Sequence, residues 1–223
     1  MPSLRFAPFA DLAARLLPLI EVGDGAHDLA HIGRVWANAM RIAASEGGAD
    51  RVLAAAVLLH DGVAVEKSSP LRAEASRLAA ARARAILADL GWQPAEIDAV
   101  AHAIEAHSFS AGIAPASLTA RILQDADRLD AIGAVGVARC FYTAGRMGSA
   151  LYDPADPQAA GRPLDDRAFA TDHFRAKLLK LADGFQTPTG AALAAERTRR
   201  IAGFLVDFEE EIGVQNPAPG SAR

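Results

Sequence analysis

A histidine and an aspartate stand side by side in the sequence Leu58-Leu59-His60-Asp61-Gly62. The apolar residues before them recur at helical spacing, which predicts a helix that packs in a core and ends near this pair. A carboxylate removed from water requires a proton, a cation or a metal to offset its lost hydration. For this pair alone, a core histidine bonded to its neighbouring aspartate is the simpler interpretation. A metal site requires further ligand residues elsewhere in the chain.

Two more histidines, His27 and His31, are four residues apart and lie on one side of a predicted helix. The stretch His27-Asp28-Leu29-Ala30-His31 imitates the H-E-x-x-H pattern of zinc metalloproteases. However, its acid is one methylene shorter, and no further zinc ligand follows at the distances such proteases use. The favoured alternative makes one histidine a metal ligand and leaves the other at the mouth of the site.

Three aspartates occur in the sequence ILQDADRLD, which is otherwise patterned as a buried helix. Asp127 and Asp130 are three residues apart and share a helix face, whereas Asp125 points elsewhere. Asp125 and Asp130 are interpreted as caps or as ion-pair partners of Arg121 and Arg128. Asp127 lies on the apolar side of the helix, so its carboxylate needs a partner. A metal held together with the other histidine and aspartate residues would provide one.

The order of these residues resembles the HD superfamily of metal-dependent phosphohydrolases. The resemblance consists of His31 in H-x-x-R-V, the pair His60-Asp61, and Asp127 in A-D-R-L. It is closer still to the small, stand-alone bacterial HD hydrolases, which include nucleoside triphosphate pyrophosphohydrolases, and it covers roughly residues 24–210. The segments that carry it are HDLAHIGRV, LLHD, AIEAHSFSA, ILQDADRLDAIGAVGVARCF, LYDPADP and DHFRAKLLKL.

The resemblance implies that His31, His60, Asp61 and Asp127 bind one divalent metal ion. Two imidazoles and two carboxylates suit Mn²⁺, which we favour, or Fe²⁺, Co²⁺, Ni²⁺ or Mg²⁺. Asp61 is the predicted catalytic residue, because it could both bind the metal and orient the attacking water. Adjacent helix positions diverge by about 100°. His60 and Asp61 can therefore converge only near the helix end, where Gly62 fits.

Two residues are predicted to bind substrate. Lys67 follows the His-Asp pair in a loop and could reach a phosphate as a point charge; a solvated loop lysine is the alternative. His107 follows an amphipathic helix and could donate to the leaving phosphate. His102 and His107 are five residues apart and do not share a helix face well, so we favour one metal over two. His173 is interpreted as a packing or capping residue.

The predicted fold is all-α, a single HD-domain helical bundle over residues 1–213. Its motif-bearing part is residues 24–145, its C-terminal helices occupy residues 165–212, and residues 214–223 form a disordered tail. Neither repeats, a linker between two cores nor an alternating strand pattern is found. The periodicity predicts helices at residues 9–20 (interrupted near Pro18), 27–46, 49–61, 94–107, 118–142, 165–183 and 189–212. A further helix, rich in Ala and Arg, follows the loop at residues 62–70 and ends at residue 90.

Composition restricts the class of partner. Among 223 residues, the net charge of -4 argues against binding long nucleic acid or an anionic membrane, yet permits a small phosphorylated substrate. Cys140 is the one cysteine, which excludes an internal disulfide and a cysteine-based zinc site and suits the cytoplasm. The first residues do not resemble a secretion signal, and no apolar stretch approaches the roughly 20 residues of a membrane span. A homodimer is left open.

These observations favour a metal-dependent phosphohydrolase that acts on a nucleotide and releases pyrophosphate from a nucleoside triphosphate. Phosphomonoester or cyclic phosphodiester cleavage is the alternative within the same class. A nonhydrolytic HD module that binds a nucleotide is an alternative from another class, although the intact set of ligand residues argues against it. An oxygenase or hydratase would need further iron ligands or an organic pocket that the sequence does not reveal.

Overall fold

The computed structural model describes residues 6–21, 28–63, 74–108 and 111–214. Their regular structure is helical, and within these ranges the only β feature is an isolated bridge between Ala150 and Phe169. The prediction of an all-α fold is confirmed. The helices are α1 (Ala10–Leu16), α2 (Leu29–Glu46), α3 (Arg51–Leu59), α4 (Ala75–Asp89), α5 (Pro94–His107), α6 (Leu118–Asp130), α7 (Gly133–Met147), α8 (Ala170–Ala176) and α9 (Pro188–Glu211).

Local sequence signals explain where the helices of the motif region begin. Asp28 is the N-cap of α2 and accepts a hydrogen bond from the backbone N–H of His31 at 2.9 Å. Asp50 caps α3 in the same way, accepting from Leu53 N–H at 2.9 Å. A carboxylate at this position satisfies an amide that has no partner within the helix. Each cap fixes the start of a helix that carries a predicted site residue.

The predicted helix at residues 118–142 is two helices, α6 and α7, with a break at residues 131–132. Gly133 has a φ of +76°, a backbone conformation that L side chains rarely adopt, so the chain can change direction here. A Cβ on Gly136 would lie 2.3 Å from the carbonyl oxygen of Ala131, so the new helix also starts in close contact with the turn. The glycines therefore end one helix and start another, rather than bending a single one.

The C-terminal helices also differ in part from the prediction. The helix expected at residues 165–183 is the shorter α8, followed by a 3₁₀ segment at Leu178–Gly184. Directly after α1, the predicted interruption near Pro18 is a 3₁₀ turn at Leu17–Leu19. No helix in the described ranges is long and apolar enough to cross a membrane.

The chain forms two compact units. The single domain over residues 1–213 stays a prediction. The first unit comprises residues 1–130 and 185–191. At its centre lies α3, in which every residue from Leu53 to Leu59 is buried. This helix packs against α1, α2, α5 and α6, so the residues that follow it emerge where these helices meet.

The second unit comprises residues 131–184 and 192–223. An aromatic cluster forms its interior, in which Phe141 lies 5.6 Å from Phe174 and 5.9 Å from Phe204, measured between ring centroids. Arg162 orders the loop that contains LYDPADP, because it contacts Asp153 at 2.8 Å and Asp172 at 2.5 Å. The loop is therefore fixed by an internal ion-pair network rather than by regular structure.

The start of α9 belongs to the first unit and is held there by Asp125, on α6. This buried carboxylate accepts hydrogen bonds from the backbone N–H groups of Gln186 and Thr187, both at 2.8 Å, and from the Thr187 hydroxyl at 2.7 Å. Burial raises the pKa of Asp125, although these hydrogen bonds act in the opposite direction. Glu46 adds two bonds to Thr189, at 2.9 Å and 2.7 Å. Acidic partners are favourable at a helix N-terminus.

This close packing gives two glycines of α9 opposite roles. A Cβ on Gly190 would lie 2.4 Å from a carboxylate oxygen of Asp125, whereas a Cβ on Gly203 meets nothing within 4 Å. Gly190→Ala should lower the free energy of unfolding by about 1–3 kcal/mol through overpacking. Gly203→Ala, the matched control, should raise it by about 1 kcal/mol through helix propensity. Urea denaturation measures both, and equal effects of the two substitutions would contradict this role of Asp125.

Candidate metal centre

Five of the predicted site residues meet within the first unit; we call them the His–Asp cluster: His31, His60, Asp61, His107 and Asp127. His31 lies in the first turn of α2, and Asp127 lies near the end of α6. His107 is the last residue of α5. His60 and Asp61 follow α3 directly. Four helix ends or terminal turns therefore supply the cluster.

The end of α3 explains how two adjacent residues reach one site. The helix ends at Leu59, and the backbone N–H of Gly62 bonds to the Leu59 carbonyl at 3.0 Å, which closes a turn. A Cβ on Gly62 would lie 3.0 Å from that same oxygen, so a small residue suits the turn. Nε2 of His60 and Oδ2 of Asp61 are 3.7 Å apart. The two side chains converge because both follow the end of the helix, where the chain turns.

The polar atoms of the cluster lie close enough to share one ion. His31 Nε2 is 3.5 Å from both Asp61 Oδ2 and Asp127 Oδ1. His60 Nε2 is 3.2 Å from His31 Nε2 and 3.9 Å from Asp127 Oδ1. Among the described residues, His31, His60 and Asp127 form a group that could hold a metal ion, with all ligand atoms within 4.8 Å of one another.

Hydrogen bonds outside the cluster determine which ring nitrogen faces inward. His60 Nδ1 donates to the carbonyl oxygen of Val57 at 2.8 Å, and His107 Nδ1 donates to that of Ile104 at 2.6 Å. A carbonyl oxygen only accepts, so Nδ1 carries the hydrogen in both rings. Nε2 of each ring then faces the cluster, and in the neutral form of a ring it offers a lone pair. This is the arrangement that metal-binding histidines require.

The donor set fits a cation. With their lone pairs inward, His31 Nε2 and His60 Nε2 would repel each other at 3.2 Å unless a proton or a metal ion stood between or beside them. Burial lowers the pKa of His31, but hydrogen bonds to Asp130 and Asp61 and the charge of Asp127 outweigh it and raise this pKa to about 9. Burial lowers the pKa of His60. The cluster thus attracts positive charge at one of the two facing nitrogens.

Asp61 stays ionised beside these rings. Burial alone would raise the pKa of its carboxyl group, but the charge of His60 and a hydrogen bond from His31 hold this pKa well below its usual range. Its Oδ2 faces His31 and His60, while its Oδ1 is 3.9 Å from His107 Nε2. His60, Asp61 and His107 form a second group that could hold a metal. Asp61 therefore directs one carboxylate oxygen at the predicted ligands His31 and His60 and the other at His107.

The other two aspartates of ILQDADRLD were predicted to be caps or ion-pair partners of Arg121 and Arg128, but their hydrogen-bond partners come from other segments. Asp130 forms an ion pair with Arg34 of α2 and also contacts His31. Asp125 holds the start of α9. The sequence could not show these partners, because they are distant along the chain.

Two histidines of the described ranges lie outside the His–Asp cluster. His102 Nε2 accepts a hydrogen bond from the backbone N–H of Ala116 at 3.1 Å, which fits a structural role. His173, in the second unit, lies 3.3 Å from Asp166. Lys67 and His27, predicted as a substrate-binding residue and as a residue at the site's mouth, lie outside the described residues.

Two buried amides that the sequence analysis did not single out connect the helices of the cluster. Asn38 of α2 donates to the carbonyl oxygen of Ala126, the residue before Asp127, at 3.0 Å. Gln124 of α6 donates to the carbonyl oxygen of Ala106, the residue before His107, at 2.7 Å. The signal that could have revealed them is an amide at a position otherwise patterned as apolar, since a buried amide needs a partner.

Known proteins resemble this chain in sequence and structure. A family model, the HD domain, matches residues 28–132. The uncharacterized protein YpgQ of Bacillus subtilis is 34% identical over 190 residues, covering 83% of this chain and 84% of YpgQ. The crystal structure of YpgQ in complex with ADP matches with a TM-score of 0.70 and 31% identity, covering 96% of this chain and 98% of that chain.

A structure named as an HD-superfamily hydrolase, from Bacillus thuringiensis, matches with a TM-score of 0.68 and 29% identity. It covers 96% of this chain and 100% of that chain. The family match contains the whole His–Asp cluster, and YpgQ matches most of the chain at 34% identity. HD domains bind divalent metals, and the cluster offers the histidine and aspartate groups for one. The chain belongs to the HD superfamily.

Proposed function

We propose that this protein is a metal-dependent phosphohydrolase that releases pyrophosphate from a nucleoside triphosphate. The observation that carries the proposal is the convergence of His31, His60, Asp61 and Asp127 with their ligand atoms facing one another. Bringing two buried imidazoles and two partly buried carboxylates together is unfavourable unless a cation joins them. Such a set of nitrogen and oxygen ligands suits Mn²⁺, which we favour, and related divalent ions.

A nucleotide is the proposed substrate class. The related protein YpgQ has a crystal structure in complex with ADP, which supports a nucleotide ligand for this chain. The net charge of -4 disfavours a long polyanion and leaves a small phosphorylated molecule as the substrate. A free nucleotide needs only local positive charge at its phosphates.

The residues of the cluster have separate tasks in this proposal. His31, His60, Asp61 and Asp127 hold one divalent ion, which supplies Lewis acidity that draws charge from phosphate oxygens and makes water a stronger acid. Asp61, ionised at neutral pH, orients the attacking water and accepts its proton. Its second oxygen faces His107, so these two side chains border the same space.

His107 and Lys67 are the proposed substrate contacts. Because His107 Nδ1 donates to the Ile104 carbonyl, Nε2 is the atom that faces a phosphate, and it donates to a phosphate oxygen in the protonated imidazolium form of the ring. Lys67 follows the His-Asp pair and would provide a point charge for a phosphate oxygen. Cleavage of a phosphomonoester or a cyclic phosphodiester remains the alternative within the class, since the same groups serve an attack on either phosphorus.

The ligand assignment predicts a joint loss of metal and activity. Replacing any of His31, His60, Asp61 or Asp127 with Ala should remove the bound ion and the hydrolytic activity together, because the remaining ligands bind it too weakly. Asp61→Asn should lower kcat by about 100-fold or more through loss of charge and basicity. Elemental analysis and phosphate release measure the two effects.

Asp98→Asn is a suitable control, because this aspartate is exposed and pairs with Arg84 outside the cluster. It should keep full metal content and activity. Full metal occupancy in the Asp127→Ala protein would contradict the assignment. A complete loss of metal in His27→Ala, expected to be milder, would instead favour the H-D-x-x-H interpretation.

The reaction itself is tested by the identity of the products. A panel of nucleotides, assayed with each divalent metal, should give pyrophosphate and a nucleoside monophosphate from at least one (deoxy)nucleoside triphosphate, and a chelator should abolish this. Orthophosphate from a monophosphate, without pyrophosphate from any triphosphate, would establish the phosphomonoesterase alternative. Nucleotide binding without turnover in the metal-loaded protein would favour the nonhydrolytic module.

The substrate contacts are tested by separating kinetics from metal content. Lys67→Ala and His107→Ala should raise KM or lower kcat while the protein keeps its metal, because neither residue is among the proposed ligands. Unchanged kinetics in both variants would mean that the substrate binds elsewhere. Loss of metal in His107→Ala would assign His107 to the second metal-capable group, with His60 and Asp61.

A further inference from the structure

Asp130 occupies a position that helix stability does not explain. It is the last residue of α6, where the negative end of the helix dipole disfavours an acidic side chain. It is also buried, with a side chain only 1% exposed, so its ionised form has lost nearly all its hydration. An aspartate placed against both effects needs a specific reason.

The carboxylate of Asp130 is held on both of its oxygens by α2. Arg34 donates from Nε to Oδ1 at 2.7 Å and from Nη2 to Oδ2 at 3.0 Å. This paired geometry fixes the plane of the carboxylate as well as its charge. Oδ2 also lies 2.8 Å from Nδ1 of His31. Because His31 and Arg34 are three residues apart on α2, both face the end of α6.

The two nitrogens of His31 lie on opposite edges of the ring and face different aspartates. Nδ1 faces Asp130, while Nε2 faces Asp61 and Asp127 at 3.5 Å. Asp130 therefore lies on the far side of the ring from Asp61 and Asp127 and reaches them through His31. An ionised carboxylate accepts, so the contact keeps the hydrogen on Nδ1.

We infer that Asp130, oriented by Arg34, is a positioning residue that holds His31 with Nε2 directed at the bound metal. The inference rests on the proposed metal centre and adds two residues to it. His60 and His107 obtain the same orientation from backbone carbonyls within their own helices. The carboxylate on His31 additionally raises the basicity of the ring, which strengthens its bond to a metal.

The test measures metal affinity in the full-length protein. Asp130→Asn should weaken Mn²⁺ and Co²⁺ binding by about 10–100-fold, the range typical for loss of such a partner. Competition with a chromophoric chelator gives the dissociation constants, and the visible absorption of the Co²⁺ protein should change as His31 shifts. Wild-type affinity and an unchanged Co²⁺ spectrum in this variant would overturn the inference.

Asp125→Asn is the matched control, because Asp125 is an equally buried aspartate of α6 that bonds to the start of α9 instead of the cluster. It should lose stability in thermal unfolding yet bind Co²⁺ with an affinity close to that of the wild type. A loss of affinity equal to that of Asp130→Asn would overturn the inference, since the effect would then follow from general destabilisation.

Arg34→Gln keeps the experiment decisive if Asp130→Asn does not fold, because the Arg34 side chain is about one-third exposed. Its Co²⁺ affinity should fall below that of the wild type even if no Asp130→Asn protein can be measured. Where Asp130→Asn folds, the fall in Arg34→Gln should be the smaller one, and the double variant should be no weaker than Asp130→Asn alone. Wild-type affinity in Arg34→Gln, or fully additive losses in the double variant, would remove Arg34 from the inference.

His31→Ala separates this inference from the proposed function. If His31→Ala loses the metal while Asp130→Asn retains wild-type affinity, the metal centre stands and the role of Asp130 is wrong. If His31→Ala itself keeps full Co²⁺ occupancy, the proposed ligand set fails, and the positioning role fails with it.

Discussion

The interaction on which the first unit depends is the compensation of charge around His31. Its ring lies between the carboxylate of Asp130 on one edge and those of Asp61 and Asp127 on the other. His31 and Asp130 are buried, while the side chains of Asp61 and Asp127 are 30% and 29% exposed, so each group has lost hydration that its neighbours must replace. Each is tolerated because another carries the opposite charge or supplies a hydrogen bond. The helices around α3 must therefore keep their mutual positions to within the length of such a bond, and the buried amides of Asn38 and Gln124 help to hold them there.

The sequence allowed much of the cluster to be predicted, because polar residues in apolar helices are conspicuous. His31, His60, Asp61 and Asp127 were assigned as ligands in this way and through the family resemblance, and the structure brings them together. Asp125 and Asp130 were predicted to be caps or ion-pair partners of Arg121 and Arg128, whereas their hydrogen-bond partners lie in distant segments. Helical periodicity gives the angle between two side chains on one helix, but not which neighbouring helix each one meets. That Asp130 contacts His31 and Arg34 across almost a hundred residues of sequence follows only from how α2 packs on α6.

Helix boundaries were predictable where a residue has one strong local preference. Asp50 caps a helix and Pro94 begins one, in agreement with such preferences. The helix predicted from residue 27 instead starts at Leu29, with Asp28 as its cap. The break between α6 and α7 was not predicted, because a glycine within an apolar helical pattern is compatible with a bend, a close contact or an end. The φ of Gly133, at +76°, distinguishes these cases, and it depends on the fold around it. His107 shows the same limit: its position at a helix end was clear, whereas its proximity to Asp61 was not.

The clamp on Gln186 and Thr187 has a consequence for biosynthesis. The first unit is discontinuous along the chain, because residues 185–191 belong to it although 54 residues of the second unit, 131–184, come before them. A ribosome that has completed α6 has made every member of the His–Asp cluster but none of the donors that Asp125 requires. Until those residues emerge, the carboxylate must stay hydrated or be buried without a partner. Completion of the first unit therefore waits for the synthesis of most of the second.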